Sequence, residues 1–139
     1  MRTRTRIGSL VLLTLVAVGG VVGLGASPAS AADGHVTVPS NYVYNPNTSY
    51  QRTLHDYCSY SSDEYHTYGQ NANFRGPCAR HDMCYQYHQQ SQSGCDNQFY
   101  AHLLSECSYT YAWYDPRRAG CYETATVYWG VVTAHTYWP

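Results

Sequence analysis

Two regimes of hydrophobic patterning divide this chain. From Ile7 to Leu24 almost every residue is apolar or glycine, whereas from Asp33 onward apolar residues recur only at intervals. The continuous run follows Met1 to Arg6, which carries three arginines and no acid, and it leads into the small-residue stretch Ser27-Pro28-Ala29-Ser30-Ala31-Ala32. That order of charge, apolar run and small residues reads as a secretory signal over residues 1–32, cleaved near Ala31 or Ala32. The run has the ~18 residues of a short membrane span, but its glycines and the site directly after it favour cleavage. No arginine pair precedes it, which points to the general export route.

In the remaining residues, 33–139, the spacing predicts a helix from Pro77 to about Gln90, with His81, Cys84, Tyr85 and His88 on one inward face. Gly76-Pro77 suits its start, because a proline in the first turn gives up an N–H that would have no helical partner. Ser91-Gln92-Ser93-Gly94 breaks the pattern, and a second helix from Cys95 to Ser108 collects Asp96, Phe99, Tyr100, Leu103 and Cys107 on its own inner face. Helices joined by so short a turn run antiparallel. Tyr109 to Gly120 reads as a connecting loop, with Arg117-Arg118 a solvated pair whose sharper use would be contact with lipid phosphate. From Cys121 to about Thr136 the helical template gathers Cys121, Ala125, Tyr128, Trp129 and Val132, and it fits slightly better than a strand. Residues 33 to about 50 have no clear period, and Asp63 to Gly76 is a polar, turn-prone loop. No internal repeat is visible, and 107 residues suffice for one domain.

All six cysteines fall after the signal, an even number that an exported chain uses as three disulfides. Zinc would call for C-x-x-C pairs, and the chain has none. Without the signal the chain keeps five arginines, no lysine and nine acids, a net charge of 5 − 9 = −4 with histidines neutral. A nucleic-acid partner needs the opposite sign, whereas a small hard cation held by carboxylates suits this balance. Sixteen tyrosines and three tryptophans fit either a small core or an aromatic rim at a lipid headgroup boundary.

The candidate chemistry lies in His81 and Asp82. If Cys84 pairs with Cys95, the antiparallel register brings Asp96 within a turn of His81, where a carboxylate can fix the imidazole tautomer and leave the other ring nitrogen as a general base. Asp82 points about a quarter-turn round the helix, where it can hold calcium facing the same cavity. A His-Asp dipeptide alone is commonplace, an inward histidine beside a surface aspartate.

The surrounding string is more specific. Cys78-Ala79-Arg80-His81-Asp82-Met83-Cys84-Tyr85 resembles the catalytic helix of secreted phospholipases A2, with its Cys-x-x-His-Asp-x-x-Tyr motif, and Cys95-Asp96 resembles the second catalytic helix. Asp56-Tyr57-Cys58 resembles the calcium loop of the bacterial and fungal branch, and Cys107 and Cys121 are placed like that branch's last disulfide. Met83-Cys84 departs from the branch, and Cys84 is similar to the animal enzymes instead. The resemblance spans about residues 56 to 137.

It implies an all-α, disulfide-stapled domain with two antiparallel catalytic helices and a calcium-binding loop. It implies His81 as base, Asp96 as its orienting partner, and Asp56, Asp82 and the Tyr57 carbonyl as ligands of Ca2+, with Asp63 or Glu64 as substitutes for Asp56. The implied disulfides are Cys58 with Cys78, Cys84 with Cys95 and Cys107 with Cys121. The implied activity is hydrolysis of the sn-2 ester of glycerophospholipids at a membrane or micelle surface, by a secreted monomer that keeps no transmembrane segment. The alternatives are a non-catalytic lipid- or protein-binding module on the same scaffold, and a secreted hydrolase of another ester or a nuclease toxin with the same histidine base, the nuclease disfavoured by the negative net charge. His55, His66, His88, His102 and His135 have no partner that the sequence can place.

Overall fold

The computed structural model describes residues 34–50 and 53–134, so the expected signal segment, residues 1–32, and His135 lie outside the described residues. Three helices, α1 (Arg75–Gln86), α2 (Gln92–Thr110) and α3 (Pro116–Ala134), make up most of it. Each boundary has a local cause. The chain leaves α1 four residues earlier than its periodicity suggests, because His88 adopts a left-handed backbone, φ 47°. The His88 N–H then bonds the Tyr85 carbonyl and the Gln89 N–H bonds the Cys84 carbonyl, the paired bonds of a Schellman motif. Ser91 begins α2 rather than merely separating it from α1, since its hydroxyl accepts the Gly94 N–H as a helix N-cap. Asp115 accepts the Arg117 N–H, with Pro116 at the first helical position, so α3 takes up Pro116 to Gly120 of the stretch expected to be loop.

Three disulfides, Cys58–Cys78, Cys84–Cys95 and Cys107–Cys121, tie the elements together with Cα separations of 5.1, 5.8 and 5.7 Å. They are the pairs that the resemblance implies. Cys84 near the end of α1 joins Cys95 near the start of α2, while His81 meets Phe99 at 4.7 Å between ring centroids, so the two helices are antiparallel. α3 runs back along α2, with Cys121 bonded to Cys107 and Trp129 against Tyr100. Phe74, Phe99, Leu103, Tyr111 and Ala125 fill the core between them with four of the half-cystines, Cys58, Cys78, Cys107 and Cys121. Among the described residues no helix is long and apolar enough to cross a membrane.

One part of the expected all-helical fold needs correction. Within the polar stretch 63–76 a two-stranded antiparallel hairpin pairs β1 (Glu64–Tyr65) with β2 (Ala72–Asn73). Its loop is satisfied locally: the Asn71 side chain accepts the Thr67 N–H and donates to the Glu64 carboxylate. Nor are the two arginines a solvated pair. Arg117 forks onto Asp115 and lies over the Tyr68 and Tyr111 rings, and Arg118 bonds the hydroxyls of Tyr122 and Ser108.

The segment before the core lies as a strap across α1 and α2. Gly34 exchanges two hydrogen bonds with Ser105 Oγ, Val36 donates its N–H to the buried Glu106 carboxylate, and Arg80 Nε donates to the Thr37 carbonyl at 3.1 Å. Gly76 is required where the strap crosses α1, since a Cβ there would sit 1.6 Å from the Val36 carbonyl oxygen.

On α2, burial and the neighbouring Arg80 charge push the His102 imidazole down to about 4, and its Nδ1 is buried without a hydrogen-bond partner. The unfolded chain, with an ordinary value near ~6.5, therefore takes up the proton more readily than the folded one. Stability contributed by neutral His102 is complete above that value and is lost as pH falls from there toward 4. Since the ring is partly exposed, the expected loss is about 1–2 kcal/mol. Urea unfolding of the wild type and of His102→Gln at pH 7 and pH 4.5 measures it, and a stability difference between the two proteins that does not change with pH would refute it.

Candidate active site

Because His81, Cys84 and Tyr85 share one face of α1, the disulfide to Cys95 sets the register that brings Asp96 beneath the imidazole. His81 Nε2 lies 2.8 Å from Asp96 Oδ1, and the Tyr85 hydroxyl donates to the same oxygen at 2.6 Å. The Asp96 side chain is 3% exposed and that of His81 13%, so the pair is screened but not sealed. The rings of Tyr85 and Phe99 flank the imidazole at 4.5 and 4.7 Å. A carboxylate is an acceptor here, so the proton of the neutral imidazole sits on Nε2 and the lone pair on Nδ1 is free to take a proton. Burial first, and then the bond to Asp96, pushes the Tyr85 phenol up, so it stays a donor.

One residue on, Asp82 points away from this pair into a second polar cluster. Its Oδ2 accepts the Tyr42 hydroxyl at 2.7 Å, and that hydroxyl also accepts the Tyr57 N–H at 3.1 Å. Tyr42 is stacked between His55 and Tyr57, at 4.8 and 5.1 Å. Burial pushes the Asp82 carboxyl well above the usual carboxylate range; the charges of Asp56 and Asp63 push the same way, against the bonds from Tyr42 and the Tyr57 backbone. Tyr57 has a left-handed backbone, φ 61°, which is uncommon for a bulky residue, and its carbonyl accepts the Ser59 N–H at 3.0 Å. Asp56 bonds the Ser59 hydroxyl.

This cluster suits a hard cation. Both charges that bear on Asp82 are negative, so the buried carboxylate has hydroxyl and amide donors but no counter-charge among them. Asp82, Asp56 and the Tyr57 carbonyl would be the oxygen ligands of such an ion, the type that calcium takes, with water completing a coordination of six to eight. Among the described residues no three His, Cys, Asp or Glu side chains converge, so a cation here would rest on two carboxylates and a backbone oxygen. Neither substitute for Asp56 is free. Asp63 accepts the Cys58 N–H with one oxygen and pairs with Arg75 through the other, and Glu64 takes the Asn71 amide.

Two residues of this region escape a reading of the sequence. Tyr42 comes from the arm without period, 40 residues before Asp82, and nothing in its neighbourhood marks it out. His55 is buried and bonds the Val43 carbonyl at 2.9 Å through Nδ1. Its only signal is the closeness to Asp56-Tyr57 in sequence. No family model, curated protein or solved structure matches this chain.

Proposed function

We propose that this protein is a secreted, calcium-dependent phospholipase A2 that hydrolyses the sn-2 ester of glycerophospholipids. The observation that carries the proposal is the 2.8 Å contact between His81 Nε2 and the buried Asp96, beside a carboxylate cluster suited to a hard cation. Three disulfides agree with an oxidising, extracellular setting.

In this reading His81 Nδ1 takes a proton from water as the water oxygen bonds to the sn-2 carbonyl carbon. The imidazolium that forms is stabilised by Asp96, which keeps its own charge. His81 then returns the proton to the departing glycerol oxygen as the ester C–O bond breaks, giving a free fatty acid and a lysophospholipid. Tyr85 holds Asp96 in place through the second bond to Oδ1. Calcium bound by Asp82, Asp56 and the Tyr57 carbonyl would supply positive charge for the developing oxyanion.

Phosphatidylcholine carrying different acyl chains at its two positions, incubated with the domain in calcium or in chelator, tests this. Release of the sn-2 fatty acid alone, lost on chelation and restored by calcium, is expected. Hydrolysis that ignores chelation would remove the metal and its three ligands from the proposal. Failure on every phospholipid would leave a non-catalytic binding module on this scaffold.

A further inference from the structure

At the turn between α2 and α3 the chain carries a feature that the catalytic reading does not use. An open basin of about 520 Å³ is lined by Trp113, Tyr114, Asp115, Arg118 and Tyr122. It lies some fourteen residues along α2 from Asp96, or about 21 Å at 1.5 Å per residue, toward the other end of that helix. Trp113 is 84% exposed and Tyr114 75%, two large rings set edge to face at 5.5 Å. Leaving both in water gives up apolar burial that a small domain ordinarily needs.

The two arginines of the turn are in different states. Arg117 is neutralised by the forked bonds to Asp115. Arg118 has no carboxylate partner among the described residues: its Nε donates to the Tyr122 hydroxyl and its Nη2 to Ser108 Oγ, both at 2.7 Å, with the guanidinium over the Tyr122 ring at 5.4 Å. These bonds fix the guanidinium without cancelling its charge. Asp115, Arg117 and Arg118 sum to −1 + 1 + 1 = +1, a local positive charge on a chain whose mature part carries −4. A fixed guanidinium beside exposed indole and phenol rings offers a donor for a phosphodiester and ring faces for a quaternary ammonium. The size of the basin is that of a small-molecule site.

We propose that this basin binds the phosphocholine headgroup of a zwitterionic phospholipid surface. Arg118, held by Tyr122, takes the phosphate, Trp113 and Tyr114 take the trimethylammonium, and the exposed edges of these two rings enter the headgroup layer, where amphipathic rings are favoured. The site is separate from His81, so it is tested on a His81→Gln background in chelator, where no lipid is consumed and the outcome does not depend on the catalytic reading.

Co-sedimentation with phosphatidylcholine vesicles is the experiment. Trp113→Ala and Arg118→Gln are each expected to lower the partition coefficient at least tenfold. Tyr87→Ala, which removes another exposed ring at the far end of α1, should leave it unchanged. Vesicles of an uncharged glycolipid should bind at least tenfold more weakly than phosphatidylcholine. Equal partition of Trp113→Ala, Arg118→Gln and the parent, no sedimentation of the parent, or equal binding to glycolipid would each overturn the assignment. Unchanged circular dichroism is expected for Trp113→Ala, since the exposure of that ring leaves little packing to lose.

Discussion

His81→Gln is expected to reduce phospholipid hydrolysis to the uncatalysed background, because glutamine offers an amide where Nδ1 should accept a proton. The more discriminating variant is Asp96→Asn. Asp96 Oδ1 receives both the His81 and the Tyr85 protons. An asparagine that presents its amide N–H₂ in the place of Oδ1 turns a donor toward His81 Nε2 and the Tyr85 hydroxyl alike. That amide would draw the lone pair to Nε2 and move the ring proton onto Nδ1, where it blocks the base. Loss of the orienting carboxylate also removes the charge that stabilises the imidazolium. Together these should lower the rate about 10²- to 10⁴-fold, with the helical circular dichroism retained. Tyr85→Phe removes one of two donors to Asp96 and leaves the His81 contact, so its loss should be within about tenfold. Initial rates on phosphatidylcholine at saturating calcium give the comparison, and a full rate for Asp96→Asn would exclude His81–Asp96 as the catalytic pair.

What is legible of this arrangement in the sequence is what depends on local spacing. His81, Cys84 and Tyr85 share a face of α1 because they recur at three and four residues, and the six cysteines limit how the helices can be joined. The helix ends are less legible, since they depend on residues with a double character. His88 completes the inward stripe by spacing, but it occupies the left-handed position more often filled by glycine or asparagine. Ser91 looks like a breaker until its hydroxyl is seen to cap α2. Asp115-Pro116 is a start signal for α3 that a reader inclined to loops passes over. The hairpin at 64–73 is invisible to periodicity because each strand is two residues long, too short to alternate.

The polar cluster is the least legible part, for a different reason. Tyr42 reaches Asp82 and Tyr57 only because the arm folds back over α1, held at Gly34 to Thr37 by contacts with partners 43 to 71 residues away. No local pattern encodes such pairings. They arise once α1 and α2 present Gly76, Arg80, Ser105 and Glu106 on adjacent surfaces.

That dependence makes Glu106 the residue whose loss should cost most in stability. Its side chain is 1% exposed, accepts the Val36 N–H, and pairs with His35 Nδ1 at 3.1 Å. Burial pushes its carboxyl up, while the bonds from Val36 and His35 oppose the shift, so the strap is what makes the buried charge tolerable. Glu106→Ala removes the acceptor, leaves the Val36 N–H without its partner, and opens a hole in the wall of α2. A donor left unsatisfied costs about 1–3 kcal/mol when buried, toward the low end for the half-buried Val36 N–H, and the lost packing adds to it, for an expected destabilisation of about 2–3 kcal/mol. That is a large share of the roughly 5–15 kcal/mol that holds a domain of this kind together. Glu106→Gln keeps an oxygen for Val36 and should cost less than half as much. Chemical denaturation gives the two values, and hydrogen exchange locates them: the Val36 amide should lose protection in Glu106→Ala well before the amides of α2 do. Equal costs for the two variants, or a Val36 amide that stays protected, would mean that Gly76 and Ser105 hold the strap without the carboxylate.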